Sequence, residues 1–206
     1  MPAGEVVYVI DDDAEIRRST QMMLRASGYA AHGFTSGAEF LEHASDLGPG
    51  VVLLDLRMPG LGGLQVLRSL VPNHPCLACI IITGHGDIPI AVEAIKLGAK
   101  DFLEKPFREA ALLKILEREF RLLETLIEST STRQKAAMLM ARLTPREREV
   151  LNRVVQGRPN KAIAHEFGLS IRTIEMHRAN AMKKLGCDCL AEAVNLVFYS
   201  GDEVAR

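Results

Sequence analysis

Val6-Val7-Tyr8-Val9-Ile10-Asp11-Asp12-Asp13 is an unbroken apolar run that ends in three acids. A short apolar run without alternation is what a strand covered on both faces requires. Beyond it, Ile16, Met22, Met23 and Leu24 recur at helical spacing as far as Gly28. A weaker strand follows at Ala30–Phe34, then a helix over 37–47. The second strong strand is Val51-Val52-Leu53-Leu54, followed by a helix over 64–70 and the strand at 79–82. A helix over 88–97 stops at Gly98, and a last strand, Asp101–Glu104, precedes Pro106. A long helix begins near Glu109. Strand and helix alternate five times, which predicts an α/β fold with a doubly wound, parallel, five-stranded sheet.

The chain has 206 residues, enough for one domain or two. It is 48% hydrophobic and 25% charged, which excludes disorder over most of its length. No apolar run approaches the ~20 residues of a membrane helix. No basic start leads into an apolar segment, so no secretory signal is expected and the cytoplasm is. The net charge of −1 hides an asymmetry: about −5 through Glu124 and +4 from Thr125 onward. Metal or phosphate chemistry suits the acidic front, and nucleic acid suits the basic back.

The four cysteines are Cys76, Cys79, Cys187 and Cys189. Cys76 and Cys79 form a lone CxxC with no second pair at zinc spacing, and it runs into Ile80-Ile81-Ile82. Burial as small hydrophobes is preferred over a zinc or redox site. Reduced thiols fit all four.

The long helix from Glu109 carries apolar residues at Leu112, Leu113, Leu116, Phe120, Leu123 and Ile127, outlasting what one core needs. The polar, β-branched stretch at 128–132 is a linker or a weak point in a connecting helix, and helix resumes over 136–142. Thr144-Pro145-Arg146-Glu147 is a strong helix start: a cap, a first-turn proline, and a glutamate that bonds back. Val150, Leu151, Val154 and Val155 give that helix its buried face. Helices follow at Asn160–Phe167, from the Ser170 cap to Leu185, and over 190–198, which makes the back half an all-α four-helix unit.

Chemistry-bearing residues stand at the strand ends. The first strand runs into Asp11, Asp12 and Asp13, the third ends in Asp55, the fourth in Thr83, and the fifth in Lys105. Ligands of open α/β sheets bind beyond those carboxyl ends. Ionised carboxylates gathered there need a cation, and magnesium takes a few carboxylate oxygens along with phosphate oxygens. Asp55, central in the sheet, is placed to form an aspartyl phosphate, with Lys105 and Thr83 at the phosphoryl oxygens. Asp13 suits a helix cap better than a ligand. A flavodoxin-like nucleotide module is disfavoured, because three acids occupy the loop that should donate hydrogen bonds to phosphate. An aspartate-nucleophile phosphatase is disfavoured because Asp11-Asp12-Asp13-Ala14-Glu15 lacks an Asp-x-Asp-x-Thr pattern.

Val9-Ile10-Asp11-Asp12-Asp13, Asp55-Leu56-Arg57-Met58-Pro59-Gly60, Thr83-Gly84-His85-Gly86-Asp87 and Lys105-Pro106-Phe107 resemble the receiver domain of two-component response regulators, the flavodoxin-like receiver of the FixJ/NarL family. The resemblance implies that Asp55 accepts a phosphoryl group from a sensor histidine kinase. It implies that Asp11, Asp12, Asp55 and the backbone carbonyl of Arg57 hold Mg2+, and that Thr83 and Lys105 sense the phosphoryl group. It makes Phe102 the aromatic switch, with a plain core aromatic as the alternative, and a cis Lys105–Pro106 bond is common in the family. His85 is expected to affect access from its loop. His32, His43 and His74 are expected in solvent.

In the basic half, two helices joined by a Gly168-containing turn predict a helix-turn-helix. On a helical wheel, Ile171, Ile174, Ala181, Met182 and Leu185 form a buried stripe of the third helix. Arg172, Met176, Ala179 and Lys183 point away, flanked by Glu175 and Asn180. Lys161, Arg172, Arg178, Lys183 and Lys184 are candidate phosphate or base contacts, although Arg178 falls near the buried edge. A structural bundle with a solvated basic face is the alternative. Leu143-Thr144-Pro145-Arg146-Glu147-Arg148-Glu149-Val150-Leu151, Asn160-Lys161-Ala162-Ile163-Ala164 and Thr173-Ile174-Glu175-Met176-His177-Arg178-Ala179-Asn180 resemble the LuxR-type DNA-binding domain. That resemblance implies DNA contacts from Lys161, Arg172, Thr173, Glu175, Met176, Arg178, Ala179 and Lys183, and dimerisation by the fourth helix.

The expectation is a receiver over 1–121, a helical linker over 122–140 and a LuxR-type domain over 141–206. The chain is not expected to be an enzyme beyond assisting its own phosphorylation and dephosphorylation. Its expected partners are a sensor kinase, promoter DNA, RNA polymerase and, once phosphorylated, a second copy, with no membrane. A phosphorylation sink and a constitutive DNA binder with a scaffold receiver are the alternatives.

Overall fold

The computed structural model describes residues 4–84 and 88–201, in two compact units, Met1–Ile127 and Glu128–Arg206. The first unit runs β1 (Val6–Ile10), α1 (Ala14–Ala26), β2 (Ala30–Phe34), α2 (Gly37–His43), β3 (Gly50–Asp55), α3 (Gly63–Asn73), β4 (Leu77–Thr83), α4 (Ile88–Lys96), β5 (Asp101–Glu104) and the start of α5 (Glu109–Met140). The five strands are all parallel, in the order β2-β1-β3-β4-β5.

Side chains alternate along each strand, so one sheet builds two cores. Tyr8, Ile10, Val52, Leu54 and Ile81 meet Phe40 of α2 and Val66, Leu67 and Leu70 of α3. Val7, Val9, Val51, Leu53 and Ile80 meet Leu24 of α1 and Leu112 and Leu116 of α5. Every residue of β3 and β4 is buried, which accounts for the apolar sequence that runs up to Asp55 and Thr83 at their ends. Cys79 lies in the first core, where burial pushes its thiol up to about 12; Cys76 is half-buried, and all four cysteines are free.

Several element ends differ from the sequence expectations. α2 stops at His43, and Ala44–Asp46 forms a 3-10 turn in its stead. α3 continues past residue 70 to Asn73 with Pro72 inside it; Pro72 has no N–H to give the carbonyl of Arg68, and the helix ends one residue later. β4 begins at Leu77, because its pairing with Gly50 starts there. Of the two readings of 128–132, the structure has continuous helix, and Thr132 Oγ1 donates back to the Glu128 carbonyl at 2.9 Å.

The second unit adds α6 (Pro145–Val155), α7 (Asn160–Phe167), α8 (Ile171–Leu185) and α9 (Leu190–Ser200). Thr144 and Glu147 form the expected capping box, and the Ser170 hydroxyl accepts from the Thr173 amide at 3.1 Å. The turn between α7 and α8 passes through Gly168 at φ 64°, a conformation that costs glycine nothing. Two small cores form. Val150, Val154, Ile163, Ala164 and Ile174 make one; Met140, Leu143, Leu151, Ala181, Leu185, Ala193 and Val197 make the other.

Candidate functional site

Parallel pairing brings the ends of β1, β3, β4 and β5 to one edge of the sheet. There, ligand oxygens of Asp11, Asp12 and Asp55 lie within 4.8 Å of one another; Asp11 and Asp55 are buried and Asp12 is exposed. Lys105 Nζ donates to Asp11 Oδ2 at 2.8 Å and to Asp55 Oδ2 at 2.7 Å. Burial works against this ammonium, but its bonds to Asp11 and Asp55 outweigh that and hold its pKa above the ordinary value. The second oxygens are also engaged. Asp11 Oδ1 accepts from the Asp13 amide at 2.9 Å, and Asp55 Oδ1 accepts from the Arg57 amide at 3.1 Å.

Asp13 is a cap, as expected. Its Oδ1 accepts from the amides of Glu15 at 2.8 Å and Ile16 at 3.1 Å, bonds that hold its carboxyl below the usual range. Thr83 is buried at the end of β4, with its Oγ1 donating to the Gly84 carbonyl at 3.3 Å. Its carbonyl accepts from the Lys105 amide at 2.8 Å, which ties the two candidate sensing residues together through the backbone. The Lys105–Pro106 bond is cis. Phe102 is 37% exposed, which removes the plain core aromatic as its explanation. His85 lies outside the described residues.

Two residues at this edge had no place in the sequence expectations. Arg17 Nη1 donates to the Asp11 carbonyl at 2.6 Å, reaching back over the first turn of α1. Helical side chains lean toward the N-terminus, so an arginine one turn inside α1 was the available signal. Gly63 opens α3, where an added Cβ would stand 2.4 Å from the Asp55 carbonyl oxygen. That contact lets α3 fold back against the strand end carrying Asp55.

The donor set suits a hard divalent cation. Three carboxylates face one ammonium, leaving excess negative charge, and oxygen donors of this kind are what magnesium takes. The candidate ligands that lie together are Asp11, Asp12 and Asp55; Arg57 follows in the loop after β3, where its amide donates to Asp55 Oδ1.

On α8, Arg172, Glu175, Met176, Ala179, Asn180 and Lys183 are exposed, and Thr173, His177 and Arg178 are half-buried. Ile174, Ala181 and Leu185 are buried and Met182 is half-buried. Ile171 departs from the expected buried stripe at 45% exposure. As the first residue of α8, its side chain leans back over the preceding turn instead of onto the helix's packing face. Thr173 Oγ1 lies 2.8 Å from Ser170 Oγ, so its hydroxyl is engaged at the cap. Lys161 is exposed near the start of α7. Lys184 is exposed as well, and its Nζ donates to Glu147 Oε2 of α6 at 2.6 Å. No helix among the described residues is long and apolar enough to cross a membrane.

Residues 7–117 match the response regulator receiver domain, and residues 141–197 match the luxR family of bacterial regulatory proteins. The transcriptional regulatory protein FixJ of Bradyrhizobium diazoefficiens is 42% identical over 195 residues, covering 95% of each chain. The tetrathionate response regulatory protein TtrR of Salmonella typhimurium is 39% identical over 188 residues, covering 91% of this chain and 89% of that one. The solved structure of the response regulator StyR superimposes with a TM-score of 0.86 at 38% identity, covering 94% of this chain and 98% of that one. Receiver edge and helix-turn-helix thus occur together along one chain, which belongs to the FixJ/NarL family of two-component response regulators, transcription regulators activated by phosphorylation.

Proposed function

We propose that Asp55 is the phosphoacceptor of this regulator and that its phosphorylation drives pairing of two receivers. A carboxylate oxygen of Asp55 attacks phosphorus of a phosphohistidine on the cognate sensor kinase. The P–N bond breaks, and the imidazole leaves with the bonding pair. The observation that carries this reading is the Lys105 ammonium bridging Asp11 and Asp55 beside Asp12. Asp11, Asp12, Asp55 and the Arg57 carbonyl would hold Mg2+, which when bound supplies positive charge against the phosphoryl oxygens. Lys105 and the Thr83 hydroxyl then bind those oxygens, and Phe102 turns inward as Thr83 moves. Covalent chemistry of the chain is confined to its own phosphorylation and dephosphorylation.

The proposed boundaries are a receiver over 1–121, a helical linker over 122–140 and a DNA-binding domain over 141–206. Pairing places two DNA-binding domains on neighbouring half-sites of promoter DNA, where the second contact becomes intramolecular. Lys161, Arg172, Thr173, Glu175, Met176, Arg178, Ala179 and Lys183 are the proposed contacts, supported by the exposed face of α8. RNA polymerase is the further partner, and the cytoplasm is the compartment. The test is acid-labile phosphate incorporation from a phosphorylated sensor kinase or a small phosphoramidate. Asp55→Asn should incorporate none, and stoichiometric labelling of that variant would reject Asp55.

A further inference from the structure

Consecutive residues in the first turn of α6 hold both helices of the helix-turn-helix. Arg146 Nη2 donates to the Phe167 carbonyl at the end of α7, at 3.3 Å, and its guanidinium lies 4.2 Å above the Phe167 ring. Glu147 is 4% exposed, and its Oε2 accepts from Lys184 Nζ at 2.6 Å and from the Thr144 amide at 2.8 Å. One carboxylate oxygen therefore caps α6 and grips the last turn of α8. Toward the other end of the pair, Val150 and Val154 of α6 share a core with Ile174 of α8. At the ion-pair end, Leu151 of α6 shares a core with Ala181 and Leu185 of α8, so the recognition helix is held on α6 by apolar contacts at both ends with the ion pair added at its last turn.

We propose that Glu147 and Lys184 are positioning residues for DNA reading: their ion pair sets the seat of α8 on α6, and Lys184 is not itself a phosphate contact. Both lysines are exposed at the surface, and the Lys184 ammonium closes on the buried Glu147 carboxylate while its side chain keeps 38% of its surface accessible. Two adjacent lysines with the same sequence signal then have different tasks. A carboxylate pinning the helix limits both its slide and its roll, which decide whether exposed side chains meet base edges or only the backbone. The inference rests on α8 being the helix that reads DNA.

The experiment uses the full chain with Mg2+ and the beryllium fluoride phosphoryl mimic. The probes are a duplex selected by the wild-type protein from a random pool and a shuffled duplex of the same length. Affinities are measured against salt for Lys184→Met, Lys184→Arg, Glu147→Gln and Lys183→Ala, with circular dichroism to verify folding. Each phosphate neutralised contributes about 0.9 to the slope of log affinity against log salt. Lys184→Met and Glu147→Gln should keep the wild-type slope while the ratio of selected to shuffled affinity falls by roughly tenfold, the scale of one lost base contact. Lys184→Arg, which keeps a cation on Glu147, should hold the ratio near wild type and remains informative if the methionine variant does not fold. A lowered slope with an unchanged ratio in Lys184→Met would make Lys184 a phosphate contact and overturn the proposal. So would a slope and ratio both unchanged, which would reduce the pair to a stability element. Lys183→Ala should lower the slope by about one phosphate. If it changes nothing, the reading of α8 as the DNA helix fails independently of the pin.

Discussion

Lys105 stands between two carboxylates that would otherwise repel each other at close range. Replacing it with methionine removes two short charge-assisted bonds and leaves Asp11 and Asp55 uncompensated. Without metal, Lys105→Met should lose on the order of 2 kcal/mol in receiver stability, the scale of such bonds. A divalent cation should then restore more in the variant than in the wild type, because it meets a larger excess of negative charge. Thermal unfolding with and without Mg2+ checks this, and an equal or smaller magnesium shift in the variant would contradict the proposed cation site. Single residues were legible in the sequence where their placement follows from position along an element. Asp11, Asp12, Asp55, Thr83 and Lys105 each stand at a strand end, and a parallel sheet leaves those ends together. The ion pair of Lys184 was not legible, because its partner Glu147 is 37 residues away and periodicity carries no information on such a contact. The wheel showed Lys184 as one more basic residue on a basic helix.

At the scale of elements, the start of α6 makes a pH prediction. Bonds from Lys184 and from the Thr144 amide hold the Glu147 carboxyl below its ordinary value of 4.5. A depressed folded pKa contributes stability that is present above the unfolded value and is lost as pH falls through the folded one. The protection that Glu147 gives α6 against hydrogen–deuterium exchange, taken as wild type minus Glu147→Gln, should therefore be constant from neutral pH down to about 5. It should shrink below about 4.5. A difference that stays flat to pH 3 would mean that the ion pair and cap contribute nothing to the local stability of α6. The strands and most helices were readable because burial on both faces leaves β3 and β4 apolar up to Asp55 and Thr83, which end them, and because caps such as Thr144 and Ser170 are local signals. The departures occur where tertiary pairing sets an end: β4 starts at Leu77 because Gly50 pairs with it. Exposure of Phe102 could not be read either, since a four-residue strand carries too little alternation to tell which face is covered.

For the whole molecule, the proposed charge change at Asp55 has to alter what the proposed DNA helix α8 does. The acidic front of net −5 and the basic back of net +4 separate phosphoryl chemistry from DNA binding along the chain, and α5 runs from one to the other. If the phosphoryl signal acts through pairing, it needs no change in the affinity of one DNA-binding unit for one half-site. The gain comes from the second contact becoming intramolecular, which reaches roughly 10²–10⁴ when the geometry permits both contacts at once. Two measurements then have to agree. Light scattering with Mg2+ should show a monomer that doubles in mass with beryllium fluoride, and no doubling in Asp55→Asn. On DNA, the same treatment should raise affinity for a duplex carrying two half-sites by at least about tenfold while leaving a single half-site unchanged. A gain of equal size on a single half-site, with no change in mass, would place the switch inside one chain, as release of a DNA-binding unit already held in check. A doubled mass with no gain on either duplex would leave the receivers pairing in a geometry that does not let both recognition helices engage.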